Sequence, residues 1–437
     1  MSSRLRSLRN GRYGGIRRHR QFLVVAAVAV ALAIEFVDEL ADGTKGAALP
    51  LIRADLGLSY AQVGLLISVP LLVGSLIELP LGLVAGQGRA RHRLVLVGGA
   101  VVAGSLAAVA AAHSLTVLTV AFIAFFPASG AFVSLTQAAL MDAAPTRHQQ
   151  RMAAWNLAGS VGAVGGPLLL AGVLAVGGDW RTAYLLLAAA AAAALAVAFF
   201  ISPSRSGPAA EPDTNVQPDP EAKPEPEAGT QIDDEEENSQ RPSVREALRA
   251  LRQGGVARWV ALLEVSDLLL DVLTGYIGIY LVDVVGASPA EAAVAVAVRL
   301  GAGLAGDALF VVVSRRVSGL AALRVSATTA VVLYPAFLLV PWFPAKLTIL
   351  AVLSLTTACW YPVIQAGLYT CLPGRSGIAV FLSSAAALVG AVGPLAVGFV
   401  AQQAGLTWAL ALLGAAPLAV LAILPSGAGS WFRRVKR

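Results

Sequence analysis

Glu35-Phe-Val-Asp38-Glu39-Leu-Ala-Asp42 lies inside a stretch otherwise apolar enough to cross a membrane. Glu264-Val-Ser-Asp267-Leu-Leu-Leu-Asp271, 229 residues further on, repeats its acidic spacing. In both stretches carboxylates fall at i, i+3 and i+7, and at about 100° per residue on a helix they occupy roughly 60° of one face. A carboxylate in hydrocarbon is costly, so such a row must face protein or water. Its recurrence predicts a chain made of two copies of one unit, with the carboxylates lining whatever lies between them.

Composition agrees with a membrane setting. Of 437 residues, 57% are hydrophobic and 13% charged, which excludes an ordinary soluble protein. The apolar residues gather in twelve segments, at 22–52, 60–85, 94–112, 115–141, 152–176, 181–201, 256–283, 290–313, 319–340, 346–372, 377–401 and 405–425. Crossing a hydrocarbon layer of about 30 Å takes about 20 helical residues, which these segments supply. Lipid satisfies no backbone polar group, and the runs are too long for barrel strands, so they are helices. The expected fold is an all-α membrane protein of twelve transmembrane helices, six in each half. Its parts are a basic N-terminus (1–21), an N-terminal half (22–202), an acidic Pro-rich linker (203–255) and a C-terminal half with a basic tail (256–437). The first apolar run continues past a signal-peptide h-region and reads as a span of the mature chain.

The formal net charge of +6 is explained by where the charges sit. Of 32 Arg and Lys, 27 precede the first segment, follow the last, or fall in the loops after even-numbered segments and the adjoining segment ends; the opposite loops and segment ends hold Arg53, Arg181 and Lys346. This is the positive-inside pattern, which places both termini and the linker in the cytoplasm of a multi-pass protein of the cell (inner) membrane. The basic residues read as topology anchors, not as a nucleic-acid surface. Four scattered histidines (19, 92, 113, 148) and two cysteines, Cys359 and Cys371, argue against a metal site or a disulfide framework.

Residues 203–242 are rich in Pro, Glu, Asp and Ser and read as a disordered tether. Val244 to Leu251, behind a possible cap at Ser243, reads as a short amphipathic helix on the inner surface. Other features recur at nearly the same offset: Ser59 with Ser288, Gly74 with Gly303, Glu78 with Asp307. Gly162-Ala-Val-Gly165-Gly166-Pro167 is echoed by Gly390-Ala-Val-Gly393-Pro394. Parallel six-helix repeats imply a pseudo-twofold axis along the membrane normal.

The layout resembles the major facilitator superfamily over essentially the whole chain. Gly82-Leu-Val-Ala-Gly86-Gln-Gly88-Arg89-Ala-Arg91 is similar to the superfamily's motif A. Gly86 stands where that motif has Asp, which removes the charge contact associated with locking the outward-open state. Gly159, Gly162, Gly165, Gly166 and Pro167 of the fifth segment resemble motif C of proton-driven exporters. Gly178-Asp179-Trp180-Arg181 is similar to the superfamily's entry to the sixth helix. Asp42-Gly43 through Leu49-Pro50, followed by Asp55-Leu-Gly-Leu-Ser-Tyr-Ala-Gln-Val-Gly64, resembles the fosmidomycin-resistance type of drug exporter. The resemblance implies that segments 1, 4, 7 and 10 border a central cavity.

Candidate site residues follow. Glu35, Asp38, Glu39, Asp42, Glu264, Asp267 and Asp271 are candidates for proton coupling or substrate binding, because removal from water favours the protonated carboxyl and clustered carboxylates share protons. Lys45, Arg299, Glu78 and Asp307 are gate or ion-pair candidates; for Arg299, mid-segment among apolar neighbours, an ion-pair gate is the favoured reading. Gln137, Asn156, Trp360, Tyr361 and Gln365 are cavity-lining candidates, where aromatic faces and amides suit a cationic or amphipathic ligand. Carboxylates outnumber the intramembrane cations Lys45 and Arg299, so protons or a cationic ligand must balance the excess.

The functional expectation is a proton-coupled secondary transporter, an exporter or antiporter of a small cationic or zwitterionic solute, acting as a monomer in the bilayer without cofactor. Cation-coupled uptake, and a transporter-like lipid flippase or receptor, are the alternatives. No Gly-x-x-x-x-Gly-Lys-Ser/Thr motif suggests ATP as the driver, and no nucleophile–base pair suggests an enzyme.

Overall fold

A computed structural model of the chain describes residues 2–84, 89–142, 148–201, 244–372 and 376–424, and all regular structure among them is helical. The first half comprises α1 (Ser2–Leu56), α2 (Tyr60–Val84), α3 (Arg89–Ala110), α4 (Leu115–Asp142), α5 (His148–Ala175) and α6 (Trp180–Ile201). A short helix, α7 (Val244–Leu251), buries Ala247 and Ala250 and exposes Arg245, Glu246, Leu248 and Arg249. The seventh span is α8 (Gly254–Asp267) and α9 (Leu273–Asp283), joined through a π-helical turn at Leu268–Val272. Then come α10 (Pro289–Val313) and α11 (Gly319–Leu339), the tenth span as α12 (Phe343–Thr357) with α13 (Trp360–Cys371), the eleventh as α14 (Ser376–Gly390) with α15 (Gly393–Ala404), and the twelfth as α16 (Leu406–Leu413) with α17 (Ala415–Ile423).

Ten of the described helical stretches are long and apolar enough to cross a membrane, and Leu388–Ala404 is a shorter apolar one. The first span completes twelve. It stands apart because five charged residues, Glu35, Asp38, Glu39, Asp42 and Lys45, interrupt its apolar run. Its helix extends back to Ser2, through the basic stretch expected to precede the span.

The duplication reaches the level of caps. Ser59 Oγ accepts from Gln62 N–H while Gln62 Oε1 accepts from Ser59 N–H, at 3.2 and 2.8 Å. Ser288 and Glu291 form the same capping box 229 residues later, each pair satisfying two orphan donors of a helix start. Among the described residues four glycines have positive φ, Gly57, Gly177, Gly286 and Gly405; they end the first, fifth, seventh and eleventh spans, where only glycine takes the left-handed turn without strain. All four lie at the face remote from the N-terminus and α7, here called the distal face.

Within the first half, the first span crosses the fifth at very close range. A methyl group on Gly166 would collide with the backbone of Leu40 and Thr44, and one on Gly162 with the Phe36 carbonyl. Small residues permit this approach between membrane helices. The halves meet where the first span packs on α9, the second on α15 and the fifth on α10. At the distal face Arg53 Nη1 donates to Asp283 Oδ2 at 2.6 Å, Tyr60 Oη donates to the same oxygen at 3.0 Å, and Arg53 lies 4.2 Å over the Tyr60 ring. Tyr60 N–H donates to Gln402 Oε1 at 3.2 Å, and Leu395 N–H to Ser68 Oγ at 3.0 Å.

Also distally, Asp179 caps α6 by accepting from Thr182 N–H and Oγ1, at 2.8 and 2.7 Å. These bonds hold its carboxyl below the usual range. Arg181 stacks on Trp180 and donates to Asp55 Oδ2 at 2.6 Å and to the Ala112 carbonyl at 2.9 Å. The Gly-Asp-Trp-Arg stretch thus ties the ends of three spans of the first half together.

Glycine placement yields a paired test. Gly166→Ala should lower the thermal stability of the detergent-solubilised chain by about 1–3 kcal/mol, the usual cost of overpacking. Gly172→Ala, on the same helix with nothing within 4 Å of the added carbon, should leave it unchanged. Equal effects would show that the close crossing does not set the packing.

Candidate functional site

On the first-half wall, the acidic row of α1 is divided among neighbours. Glu35 is buried, hydrogen-bonds with Trp155, and packs where a side chain on Gly159 would collide with Oε1. Glu39 lies against Gly159 and Gly162. Asp38 accepts from Ser129 Oγ of α4 at 2.6 Å. Asp42 is exposed and pairs with Lys45 Nζ at 2.5 Å, and Lys45 also sits 4.7 Å over the Phe126 ring.

In the second half, Glu264 packs against Gly390 as Glu35 packs against Gly159, which repeats the carboxylate-on-glycine contact in both copies. The match is one helical turn away from the alignment of the two Gly-Ala-Val-Gly stretches, because Gly162 instead meets Phe36 and Glu39. Asp267 is half-buried, with Ser266 Oγ at 3.4 Å. The π-turn at Leu268–Val272 widens the helix at Asp271 and takes it off the strict α-helical row expected from spacing; such single turns often mark functional positions.

Asp271 opens into a cavity of about 350 Å³ between the halves. Ser160 and Val164 of the fifth span, Thr274 of the seventh, Arg299 and Asp307 of the eighth and Tyr361 of the tenth share its wall. Arg299 is 7% exposed. Its Nε donates to Thr274 Oγ1 at 2.9 Å and its Nη2 to the Leu270 carbonyl, which also accepts from Thr274 Oγ1 at 2.5 Å. The guanidinium is therefore anchored on the backbone at the π-turn and not by a carboxylate in contact, as an ion-pair gate would require. Asp271 is nonetheless within electrostatic reach of Arg299, and across the interface of Asp42 and Lys45. The third members of the two rows are thus the ones brought together.

The remaining candidates separate. Trp360 does not line the cavity: it is fully buried, and its indole donates to Ser326 Oγ at 2.7 Å, which in turn donates to the Thr356 carbonyl at 2.6 Å. The next residue, Tyr361, is 53% exposed, faces the cavity, and is within electrostatic reach of Asp267 and Asp271. Gln365 reaches Ser383 at 3.4 Å, Gln137 reaches Met152 Sδ at 3.7 Å, and Asn156 is exposed. Gly165 packs against Leu40, Pro167 against Gly43, and Arg91 is half-buried. Gly86 and Gly88 lie outside the described residues, as do the side chains of Glu78 and Arg89 and the surroundings of Gly82.

Sequence reasoning missed Ser129, Ser160 and Thr274, for which a lone hydroxyl in a helix gives no signal. It also missed Lys346, read as a loop anchor. Lys346 is 3% exposed, and its Nζ caps the carbonyls ending α11, donating to Phe337 O at 2.6 Å and Leu338 O at 3.0 Å, with Tyr280 Oη at 3.1 Å.

Twelve spans in two six-helix halves, meeting around a largely apolar cavity that carries Asp271, Arg299 and Asp307, define a membrane transporter of the alternating-access class. The sequence profile of the Major Facilitator Superfamily matches residues 31–376, and the chain belongs to that family. No curated protein matches the sequence. Solved structures share the fold. One is a bacterial homolog of the human lysosomal transporter Spinster, inward-facing and unoccupied, with TM-score 0.68 and 16% identity, covering 93% of this chain and 95% of that one. The nucleoside transporter NupG gives 0.69 at 10% identity, covering 92% and 100%. A POT family transporter in complex with 5-aminolevulinic acid gives 0.64 at 11%, covering 91% and 95%.

Alternating access requires the distal contacts to part. Asp283→Asn should raise the distal-side labelling rate of a cysteine placed at Ser68, in a Cys359→Ser/Cys371→Ser background, by about two- to fivefold, as expected for an ion pair worth up to about 1 kcal/mol. Exchanging the charges (Arg53→Asp with Asp283→Arg) should return the rate towards the starting value. Labelling indifferent to both changes would remove the ion pair from the opening step.

Proposed function

We propose that the protein is a proton-coupled exporter of a small cationic or zwitterionic organic solute. It works as a monomer in the inner membrane with both termini in the cytoplasm. The observation that carries this reading is the placement of Asp271 on the cavity between the halves, beside Ser160 and Val164 of the first half and within electrostatic reach of Asp42 and Lys45. Lys45 is committed to Asp42 and Arg299 to Leu270 and Thr274. The carboxylates are left in excess, and clustered carboxylates in excess draw protons or a cationic group. Movement of the halves about the interface changes how closely they gather, so proton binding and conformation are linked. The glycine-lined crossing of α1 and α5 supports export through its likeness to motif C. The excess of Arg and Lys at the face bearing the termini supports their cytoplasmic placement.

The test is proton flux in proteoliposomes carrying an imposed pH gradient and offered a panel of organic cations and zwitterions. The expected result is substrate-dependent flux. Asp38→Asn combined with Asp267→Asn should reduce gradient-driven transport about 5- to 150-fold, the range of a coupling free energy of about 1–3 kcal/mol. Undiminished gradient-driven transport by that double variant would remove these two carboxylates from coupling.

A further inference from the structure

The charges around the interface cavity do more than make it acidic. Asp42 and Lys45 satisfy each other, which leaves one guanidinium, Arg299, facing two carboxylates, Asp271 and Asp307, in the same space. Arg299 is held rigidly: Thr274 takes Nε, the Leu270 carbonyl takes Nη2, and more than nine-tenths of the residue is buried. Its third nitrogen, Nη1, has no acceptor among the described residues and belongs to a side chain on the cavity wall. Asp271 and Asp307 are exposed there and make no hydrogen bond or ion pair with a described side chain. A guanidinium edge that opens onto the cavity and has no acceptor among the described residues is available to a ligand, and its fork suits a carboxylate or phosphate.

A simple organic cation would satisfy the two aspartates and leave Arg299 facing like charge. A simple anion would satisfy Arg299 and face the aspartates. We propose that the cavity binds a small zwitterion, with its anionic group on the Nη1 edge of Arg299 and its cationic group between Asp271 and Asp307. Tyr361, exposed on the same wall, stacks on the apolar frame of the ligand. The volume of about 350 Å³ is at the lower end for organic-ligand pockets and fits an amino-acid-sized molecule. The proposal rests on the transport reading only in taking this ligand as the transported solute.

Thermal unfolding of the full chain in detergent tests it with matched sets of probes: phenylalanine, phenethylamine and hydrocinnamate; leucine, isopentylamine and 4-methylvalerate; tryptophan, tryptamine and indole-3-propionate. Ligand binding to the folded state raises the midpoint by mass action. The expected result is that at least one amino acid stabilises the protein more than both of its truncated relatives. Arg299→Gln should weaken that amino acid about 10- to 100-fold, the loss of a charged hydrogen-bond partner, and leave the matching amine unchanged. Asp307→Asn should weaken amino acid and amine alike. If Arg299→Gln does not fold, Arg299→Lys keeps the charge, loses the fork and should show the same selective loss. Amines that bind as well as their amino acids in all three sets would overturn the proposal. The readout needs no gradient: a zwitterion preference without proton flux sustains this site and sinks coupling, whereas flux with amines alone sinks this site and leaves coupling standing.

Discussion

Hydrocarbon gives a carboxylate nothing to hydrogen-bond, and this chain sets seven of them in the interiors of its first and seventh spans, apart from Asp283 at the distal end. The arrangement of both halves answers that constraint. The first span is drawn against the fifth, where Trp155 and the glycine notch enclose Glu35, and towards the fourth, where Ser129 meets Asp38. The seventh span is drawn against the eleventh, where Gly390 receives Glu264. Asp42 and Asp271 come within electrostatic reach of each other across the interface.

The same constraint explains the glycines. Carboxylates can be buried between two membrane helices only where the helices approach closely enough to exclude lipid, and in the first half that approach places the backbone of Phe36 and Leu40 against Gly162 and Gly166. Close glycine crossings hold spans together through backbone contact and not interdigitated side chains, so a small rotation does not require repacking a core. At the distal face the halves are joined by a further close glycine crossing, Gly64 against Pro394 and Leu395 and Gly398 against Tyr60, together with the polar Arg53–Asp283 pair, Tyr60 and Gln402. Opening at that face therefore has to part both a backbone-to-backbone crossing and a polar clasp.

Much of this was legible in the chain. Twelve spans follow from hydropathy, and the 229-residue repeat extends from the acidic rows to the capping boxes Ser59–Gln62 and Ser288–Glu291. The site was less legible, for identifiable reasons. Spacing assumes an α-helix, and nothing in Leu268–Val272 announces the π-turn that redirects Asp271. Trp360 and Tyr361 are adjacent aromatics, and only packing decides that the first is core and the second faces the cavity. Arg299 and Lys346 looked in need of carboxylates or of water. Both are held instead by backbone carbonyls, acceptors that every residue carries and no side-chain pattern reveals. The clasp joins residues 230 positions apart, beyond any local pattern.

The central claim is that protons held at the interface carboxylates set the balance between the distally closed arrangement and one opened at that face. The most direct test is the distance between spin labels on the distal ends of the second and eleventh spans, measured by electron double resonance as pH is raised from about 5 to about 9, a range spanning the titration of desolvated carboxyls. Closed packing gathers more negative charge than its cations offset, so the short-distance population should fall as pH rises. Asp42→Asn with Asp271→Asn should flatten that dependence. A single short distance across the whole range, or the same titration in the double variant, would contradict the account.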